Sequence, residues 1–546
     1  MNTRADALRE VATGQFDVCV MGAGASGAGC ALDAQLRGLR TVLVDAGDFA
    51  SATSSASTKL VHGGVRYLQE AVTDLDLGQL KVVKHALRER ILMLQNAPYL
   101  AHPLEFIVPC FSRFELAYYG VGMKIYEWIA GDASVGDSRI LSRDAALREL
   151  PGMNGRPDLK GAVAYWDGQF DDARYGIALV GTFAKAGGQT VNYLRVVGFE
   201  RGWDGRLAAA LAEDRFSRQR IVLRAKAFIN ATGPFSDQLR TLVNPGAAKR
   251  LAPSKGAHIL LPLDPDIRSA LLIPETEDGR VIFAIPWLGR LLVGTTDKEV
   301  TLNEDLTVTQ AEAEYLLRHL NRYLAKSYTT GEVVSAFAGV RPLVRAGHAP
   351  TQRLVRDHEV EVDRQSGLVS ILGGKWTTYR HMAEDTIDTV QRQLGQRVER
   401  GKTRNHPLTG TQGFTPEYWR TLAREYQLEE STARHLAEKF GTEAAAVLQL
   451  AKDRPELRSP IVSGGSAIQA EIVYGIRNEM ACTIEDVLAR RTGLQPFSWA
   501  MALEAAPVVA SHLAREGAWP RQQQTEATEA YVAGIRRMQT AIGCSV

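Results

Sequence analysis

Residues 16–27 read FDVCVMGAGASG, a short apolar run followed by three glycines with the spacing G-x-G-x-x-G. A second apolar run, TVLV at residues 41–44, follows an Ala- and Leu-rich stretch that predicts a crossover helix. Glycines between a strand and a helix let the backbone approach a pyrophosphate at the positive end of the helix dipole. Asp45 ends the second strand, where an acid binds a ribose hydroxyl. The unit predicts a dinucleotide-binding domain in which the ligand contacts are Gly22, Gly24, Gly27 and Asp45.

Three later stretches favour FAD over NAD as the dinucleotide. Residues 52–59 read ATSSASTK, and such small hydroxyl residues suit the space beneath a pyrophosphate and a tricyclic ring. Residues 228–233 read FINATG, a strand that ends in Ala-Thr-Gly and returns the chain to the nucleotide domain. Residues 373–378 read GGKWTT and precede a predicted helix at 379–392, whose N-terminus would stabilise an anionic reduced flavin. The predicted FAD contacts in these stretches are Ser54, Ser55, Ser57, Ala231, Gly233, Gly374, Lys375 and Thr377.

Composition excludes several classes of protein. The chain has 546 residues and a mass of 59.7 kDa, which predicts two to three domains. Its 64 basic and 62 acidic residues nearly cancel, so we expect no nucleic-acid partner. No apolar run has transmembrane length and the N-terminus is polar, which predicts a cytoplasmic protein. Five cysteines without C-x-x-C spacing predict neither a disulfide framework nor a zinc site, and no metal centre is expected.

The order of helices and strands predicts an α/β (α+β) fold with an added helical part. Two runs, 281–285 and 290–296, read as paired strands. Beyond Pro407 the pattern is helical, and the predicted helices are Pro416 to Gln427, Glu429 to Phe440 and Ile468 to Arg490. We therefore predict an oxidoreductase core at residues 16–405 and an all-helical C-terminal domain at 406–546. The core comprises a Rossmann-like, discontinuous FAD-binding domain (about 16–66, 228–237 and 368–390) and a mixed-sheet substrate domain between these segments.

Five longer motifs carry a family resemblance. They are SSASTKLVHGGVRYL at residues 54–68, DGQFDDAR at 167–174, KGAH at 255–258, AGVRPL at 338–343 and GGKWTTYR at 373–380. Together they closely resemble the signature of the FAD-dependent glycerol-3-phosphate dehydrogenases, and the similarity extends into the C-terminal part at Glu471 to Thr492. No EF-hand loop of the animal mitochondrial type is present in the sequence, so the chain resembles the bacterial members.

The resemblance implies a function and a location. Members oxidise sn-glycerol 3-phosphate to dihydroxyacetone phosphate and pass electrons from FAD to a membrane quinone. Their substrate domain is of the glycine/D-amino-acid-oxidase kind. The implied location is the cytoplasmic face of the inner membrane, by peripheral contact with lipid. The oligomeric state stays open, with a homodimer as one alternative.

The resemblance also implies the site residues. Substrate contacts are carried onto Arg66, Tyr67, Arg341, Arg356 and Lys375, and a phosphate dianion does need such cationic donors. His258 is the predicted base for the substrate hydroxyl, because imidazole titrates near neutral pH; a structural or substrate-binding histidine is the alternative. His62 and Gly63 are expected beside the flavin. Asp171 and Asp172 are expected to form structural ion pairs with Arg174 or others. Arg345 receives no role.

Other functions remain as alternatives. The rivals are an oxidase that produces hydrogen peroxide, a flavoprotein acting on another polyol phosphate or on an amine, and an FAD-binding structural or regulatory protein without turnover.

An aromatic stretch at 111–128 contains Phe111, Phe114, Tyr118, Tyr119, Tyr126 and Trp128. Base rates favour a core or dimer-contact role for this stretch over a lipid-facing one.

Overall fold

The computed structural model describes residues 3–64, 77–153, 157–274, 276–302, 306–345, 358–517 and 521–544. Two β-sheets with helices packed around them make up the first three quarters of the chain, and the remainder is helical. The predicted combination of a Rossmann-like sheet, a mixed second sheet and a helical C-terminal part is confirmed.

The first sheet contains the nucleotide-binding motif. Its eight strands are β1 (Gln15–Met21), β2 (Thr41–Val44), β7 (Gln189–Val191), β8 (Leu194–Arg201), β9 (Leu207–Asp214), β10 (Arg220–Asn230), β17 (His358–Val362) and β18 (Val369–Gly373). The central order is β17-β18-β10-β1-β2-β7, and β1 pairs in parallel with both β2 and β10. Met21 is in register with Val44 and with Asn230, so the segments that follow these three strands lie at one edge of the sheet. That edge is where parallel sheets bind ligands.

The second sheet has ten strands. They are β3 (Leu60–Val61), β4 (Ala101–Cys110), β5 (Arg139–Ser142), β6 (Gly161–Phe170), β11 (Leu251–Pro262), β12 (Ala270–Ile273), β13 (Ile282–Trp287), β14 (Arg290–Gly294), β15 (Lys298–Glu299) and β16 (Ser335–Val344). Strand β11 pairs with β14 and β16, both antiparallel. The hairpin predicted at 281–296 is present as β13 and β14, with its turn at Leu288 and Gly289.

Nine helices belong to the two-sheet part. They are α1 (Arg4–Thr13), α2 (Ala25–Leu36), α3 (Leu77–Asn96), α4 (Arg113–Ala130), α5 (Arg143–Glu149), α6 (Asp172–Lys185), α7 (Ser236–Val243), α8 (Gln310–Leu320) and α9 (Tyr379–Gln393) within the residues described. Helix α2 packs between α6 and α9, and the apolar side chains of all three join the core of the first sheet. Gly29 permits this close approach, because a Cβ there would lie 2.9 Å from the Tyr379 ring.

The C-terminal part is built from α10 (Tyr418–Tyr426), α11 (Glu430–Phe440), α12 (Ala444–Asp453), α13 (Gln469–Glu479), α14 (Leu494–Phe497), α15 (Trp499–Gly517) and α16 (Arg521–Ala541). Buried ion pairs join it to helix α6 and to the loop after β2. Arg174 donates two hydrogen bonds of 2.9 Å to Glu479, and Asp48 accepts from both Arg490 and Arg491. Leaving one member of such a buried pair without its partner costs about 3–5 kcal/mol, so these contacts fix how the helical part sits on the core.

The prediction of one helix from Ile468 to Arg490 is wrong. Helix α13 ends at Glu479, and Met480 takes a left-handed conformation with φ 53°. A new helical turn starts after Thr483, because the Asp486 carboxylate accepts the backbone N–H groups of Cys482 and Thr483. The apolar periodicity continues across this break and conceals it.

The predicted core role of the aromatic stretch is wrong for three of its residues. Phe114, Tyr118 and Trp128 on α4 are 78%, 38% and 83% exposed, whereas Tyr126 is buried as expected. Among the residues described, no helix combines the length and apolar character needed to span a bilayer.

Candidate active site

The glycine turn between β1 and α2 forms a cradle that side chains would fill. Gly22 has φ +101°, and a Cβ there would lie 2.5 Å from the Ala231 carbonyl oxygen. A Cβ on Gly27 would lie 1.7 Å from the Gly22 carbonyl oxygen, and one on Gly24 would lie 2.9 Å from Ser54 Oγ. Side chains at these three positions would collide with the neighbouring backbone or with Ser54, so the turn can hold this shape at the start of α2 only with glycine.

Asp45 lies directly after β2, beside this turn. Its carboxylate accepts the N–H of Ala23 at 2.6 Å and that of Gly47 at 2.8 Å. Burial raises the pKa of Asp45 to about 6, although both backbone hydrogen bonds favour the ionised form. An acceptor held in this way can bind a ribose hydroxyl at the edge where Ala231 and Gly233 also lie.

The hydroxyl-rich stretch 52–59 runs between the two sheets. Ser54 Oγ accepts the N–H of Ala25 at 2.9 Å, and the Ser54 carbonyl accepts from Trp376 Nε1 at 2.9 Å. Thr53 Oγ1 donates to the Val340 carbonyl at 2.6 Å. The stretch therefore links the α2 N-terminus, the 373–378 segment and strand β16.

Ser57 and Lys59 in this stretch both bind the Asp172 side chain. The Asp172 carboxylate accepts from both the N–H and the hydroxyl of Ser57, and it forms a buried ion pair of 2.5 Å with Lys59. Asp171 pairs instead with Lys439 at 2.5 Å. Structural ion pairing with Arg174 or others is the prediction for both aspartates, and in the structure their partners are Lys439 and Lys59.

The 373–378 segment places a helix N-terminus near the same edge. Gly373 and Gly374 have φ +73° and +84°, and a short turn at Trp376–Thr378 leads into α9. Thr377 is buried, and its hydroxyl is 3.4 Å from the His62 carbonyl oxygen. Lys375, at the start of this turn, is half-buried.

The Gly63 backbone lies against the Tyr126 side chain of helix α4. Its N–H donates to the Tyr126 hydroxyl at 2.9 Å, and a Cβ on Gly63 would lie 2.5 Å from that oxygen. Tyr126 in turn donates to Asp167, which is paired with the buried Arg90 at 2.8 Å.

His258 lies inside β11. Its ring stacks on Phe337 with centroids 4.9 Å apart, and Nε2 is 3.0 Å from Thr58 Oγ1. Gly294, its partner on β14, makes room for the imidazole, since a Cβ there would lie 2.1 Å from the ring. Burial and the positive charges of Arg341 and Lys59 hold the pKa of His258 well below the ordinary value of 6.5.

Arg341 lies on β16, on the same face of the sheet as His258. His258 is in register with Phe337 and Ser254 with Arg341, and Gly256 pairs with Gly339 between them. A Cβ on Gly256 would lie 2.4 Å from the Arg341 guanidinium, which donates to Thr295 Oγ1 at 3.0 Å. Gly256 therefore leaves space for the guanidinium on the face that carries the imidazole, whereas Gly339 leaves space for the Ala56 backbone.

Not every predicted substrate residue can be placed. Arg66, Tyr67 and Arg356 lie outside the residues that the structure describes. Arg345, to which no role was assigned, donates to the Leu251 carbonyl at 2.8 Å and lies 3.7 Å from Glu299.

The sequence reasoning missed several residues around the imidazole. They are Thr58, Gly256, Gly294, Phe337 and Gly339. Three are glycines whose role is to leave space. Two of them carried a signal in the sequence, because Gly256 in KGAH and Gly339 in AGVRPL each lie two residues from a histidine or an arginine, which places both on one face of a strand.

The residues of the nucleotide edge fit FAD. The cradle that a Cβ would fill, the acid after β2 and the helix N-termini of α2 and α9 together suit a pyrophosphate and its ribose. The contacts of Ser54 and Trp376 bring three separated cofactor segments to one place.

Comparison with known proteins gives the family. The model of the FAD dependent oxidoreductase family matches residues 17–380, and that of the C-terminal domain of alpha-glycerophosphate oxidase matches 401–524. The mitochondrial glycerol-3-phosphate dehydrogenases of Macaca fascicularis and Homo sapiens are each 40% identical over 531 residues, covering 95% of this chain and 72% of the relative. The chain belongs to the FAD-dependent glycerol-3-phosphate dehydrogenase family.

A solved member of this family has the same fold. The crystal structure of glycerol-3-phosphate dehydrogenase from Bacillus halodurans complexed with FAD is 29% identical, with a TM-score of 0.81, and the match covers 100% of this chain and 99% of that one. FAD is the cofactor of this chain, as the sequence predicted.

Proposed function

We propose that this glycerol-3-phosphate dehydrogenase family member oxidises sn-glycerol 3-phosphate to dihydroxyacetone phosphate and passes the electrons to a membrane quinone. The observation that supports the reaction most directly is the placement of His258 and Arg341 on one face of β11 and β16. Together they offer a proton acceptor and a fixed cation next to the cofactor segment 52–59. The names of the related dehydrogenases favour the same substrate.

His258 would take the proton of the substrate hydroxyl. Its depressed pKa means that the imidazole is neutral at pH 7 and can accept a proton. Thr58 holds the ring at Nε2, and the stacked Phe337 fixes its plane. FAD, when bound, accepts the hydride from the carbon that bears this hydroxyl.

Arg341 would bind the phosphate, since a guanidinium presents two parallel donors to an anion. Thr295 Oγ1 and the Thr296 carbonyl orient it at 3.0 and 3.3 Å, and Asp297 lies 3.9 Å away. A bound dianion would offset the charge of Arg341 and so raise the pKa of His258, which makes the base stronger once substrate is present. We assign Lys375, Arg66, Tyr67 and Arg356 to the remaining substrate contacts.

The cofactor contacts stay as predicted from the sequence, with one change. We propose that Gly22, Gly24 and Gly27 admit the pyrophosphate and that Asp45 binds the ribose. The remaining contacts are Ser54, Ser55, His62, Gly63, Ala231, Gly233, Gly374, Lys375 and Thr377. The hydroxyl of Ser57 acts through Asp172 and Lys59 instead, because it is bound to that carboxylate.

An apolar face on α4 supports peripheral attachment to a membrane. Phe114, Tyr118, Val121 and Trp128 are exposed and recur at helical spacing. Ile140 on β5, which is 59% exposed, lies against Gly120 of the same helix. The exposed basic residues Arg113 and Lys124 lie on the same helix. Aromatic and basic side chains on one helix face suit an anionic lipid surface, so we propose the cytoplasmic face of the inner membrane as the location.

The electron acceptor is tested by reoxidation. Holoenzyme is reduced anaerobically with glycerol 3-phosphate and then mixed with a short-chain quinone or with air-saturated buffer. A quinone-linked dehydrogenase reoxidises much faster with quinone, and anionic lipid vesicles should increase that rate. Fast reoxidation by oxygen with release of hydrogen peroxide would identify the oxidase instead.

A further inference from the structure

Three possible metal ligands meet where β17 begins against α9. They are His358, His381 and Asp385, and one ligand atom of each lies within 4.8 Å of the others. His358 Nε2 is 2.9 Å from the Asp385 carboxylate, and His381 Nε2 is 3.4 Å from it. None of these residues belongs to the site described above.

These separations suit a tetrahedral metal site. With bonds of about 2.0–2.2 Å to nitrogen and oxygen, neighbouring ligands of a tetrahedral zinc ion lie roughly 3.3–3.6 Å apart. The 3.4 Å distance from Asp385 to His381 matches that edge length. The 2.9 Å distance from Asp385 to His358 is shorter, so these two groups would move apart when an ion enters between the three donors.

A fourth imidazole lies beside the cluster. The His85 ring on α3 is 3.9 Å from that of His381, centroid to centroid. His85 Nε2 is buried and makes no hydrogen bond to any residue that the structure describes, although the Glu89 carboxylate is 3.8 Å away. The buried pair of Glu89 with Arg380, at 2.6 Å, holds α3 against α9 and so fixes His85 in this position.

We propose that His358, His381 and Asp385 bind a divalent transition-metal ion, with His85 as a fourth ligand. Imidazoles combined with one carboxylate select zinc and its borderline neighbours over magnesium or calcium. The ion would tie together three segments that are remote in sequence. A Cβ on Gly374 would lie 3.3 Å from His358 Cβ, so the metal site adjoins the glycine turn before Lys375.

The competing explanation is a cluster held by hydrogen bonds alone. Asp385 already accepts from His358, and such a pair needs no ion. The two explanations differ in what they predict for added metal, since an ion that binds only the folded chain raises its unfolding temperature.

Zinc binding to the holoenzyme tests the proposal. Chelator-treated holoenzyme is titrated with Zn²⁺ against a chromophoric zinc indicator, and its thermal unfolding is followed with and without the ion. We expect one tightly bound Zn²⁺ per chain and a higher unfolding temperature. Asp385→Asn and His381→Gln should weaken binding by about a hundredfold and abolish the thermal shift, while the flavin spectrum stays unchanged.

His435→Gln is the matched control. His435 forms a similar histidine–carboxylate pair, 2.9 Å from Glu471, with no third ligand among the described residues, so its loss should leave zinc binding unchanged. Co²⁺ absorption, read at wavelengths beyond the oxidised flavin, would report a four-coordinate site with nitrogen ligands. The proposal fails if the parent protein binds no zinc, or if Asp385→Asn and His381→Gln bind it as tightly as the parent.

Discussion

Thr58 Oγ1 lies 3.0 Å from His258 Nε2, and this contact joins the cofactor segment of the first half of the chain to the second sheet. Thr58 follows directly on Ser57, which Asp172 holds through its N–H and its hydroxyl. The position of the imidazole therefore depends on a buried network and not on β11 alone.

The pH dependence should reveal the low pKa of His258. A group whose pKa is depressed loses its proton at lower pH, so the neutral base persists into acidic solution. We expect the acid limb of kcat/KM below the ordinary histidine value of about 6.5. The acid limb of kcat should lie at higher pH, because bound phosphate offsets the charge of Arg341. If the acid limbs of kcat and kcat/KM fall at the same pH, bound phosphate does not raise the pKa of His258.

Arg341→Ala should weaken substrate binding. Loss of a charge-assisted hydrogen bond to phosphate costs about 1.5–3 kcal/mol, roughly ten- to a hundredfold in KM. Arg341→Lys should recover only part of this, because an ammonium lacks the planar pair of donors. Steady-state kinetics would measure the change in KM. Arg345→Ala is the control, because the Arg345 side chain donates to the Leu251 carbonyl and is assigned no substrate contact. A normal KM in Arg341→Ala would place the phosphate site elsewhere.

Gly27→Ala should abolish FAD binding. The new Cβ would lie 1.7 Å from the Gly22 carbonyl oxygen, so the turn must deform. The measurement is the flavin-to-protein absorbance ratio of the purified protein. Gly534→Ala is the control, because it is also a helical glycine and nothing lies within 4 Å of its Cβ. A yellow Gly27→Ala protein with full occupancy would refute the assignment.

Trp128→Glu should reduce binding to anionic phospholipid vesicles in a sedimentation assay. A carboxylate in place of an indole removes apolar area and adds repulsion from the lipid surface. Trp203→Glu is the control, since Trp203 is fully exposed in the loop between β8 and β9. Unchanged vesicle binding together with loss of a dimer in Trp128→Glu would show that the face contacts a second subunit.

Local patterns were enough to predict the nucleotide edge. The turn at Gly22, the strand Thr41–Val44 and the helix from Tyr379 follow from glycine placement and apolar periodicity, which neighbouring residues determine. The same holds for the hairpin of β13 and β14.

Contacts between remote segments could not be predicted in this way. Lys59 and Asp172 are 113 residues apart, and Asp171 and Lys439 are 268 apart, so neither pairing is visible in a local pattern. The exposure of Trp128 depends on which neighbours cover α4. The histidine cluster likewise exists only because β17, α9 and α3 meet.

Anaerobic reduction of the flavin by glycerol 3-phosphate tests the central claim most directly. The proposed function predicts rapid bleaching of the oxidised flavin in the parent protein and none with unphosphorylated glycerol at equal concentration. In His258→Ala, bleaching should be about a hundred- to ten-thousandfold slower while FAD and substrate still bind. His512→Gln, a buried histidine of the helical part, should bleach at the parent rate. A flavin that glycerol 3-phosphate leaves oxidised would contradict the proposed reaction, and a parent-like rate in His258→Ala would contradict its base.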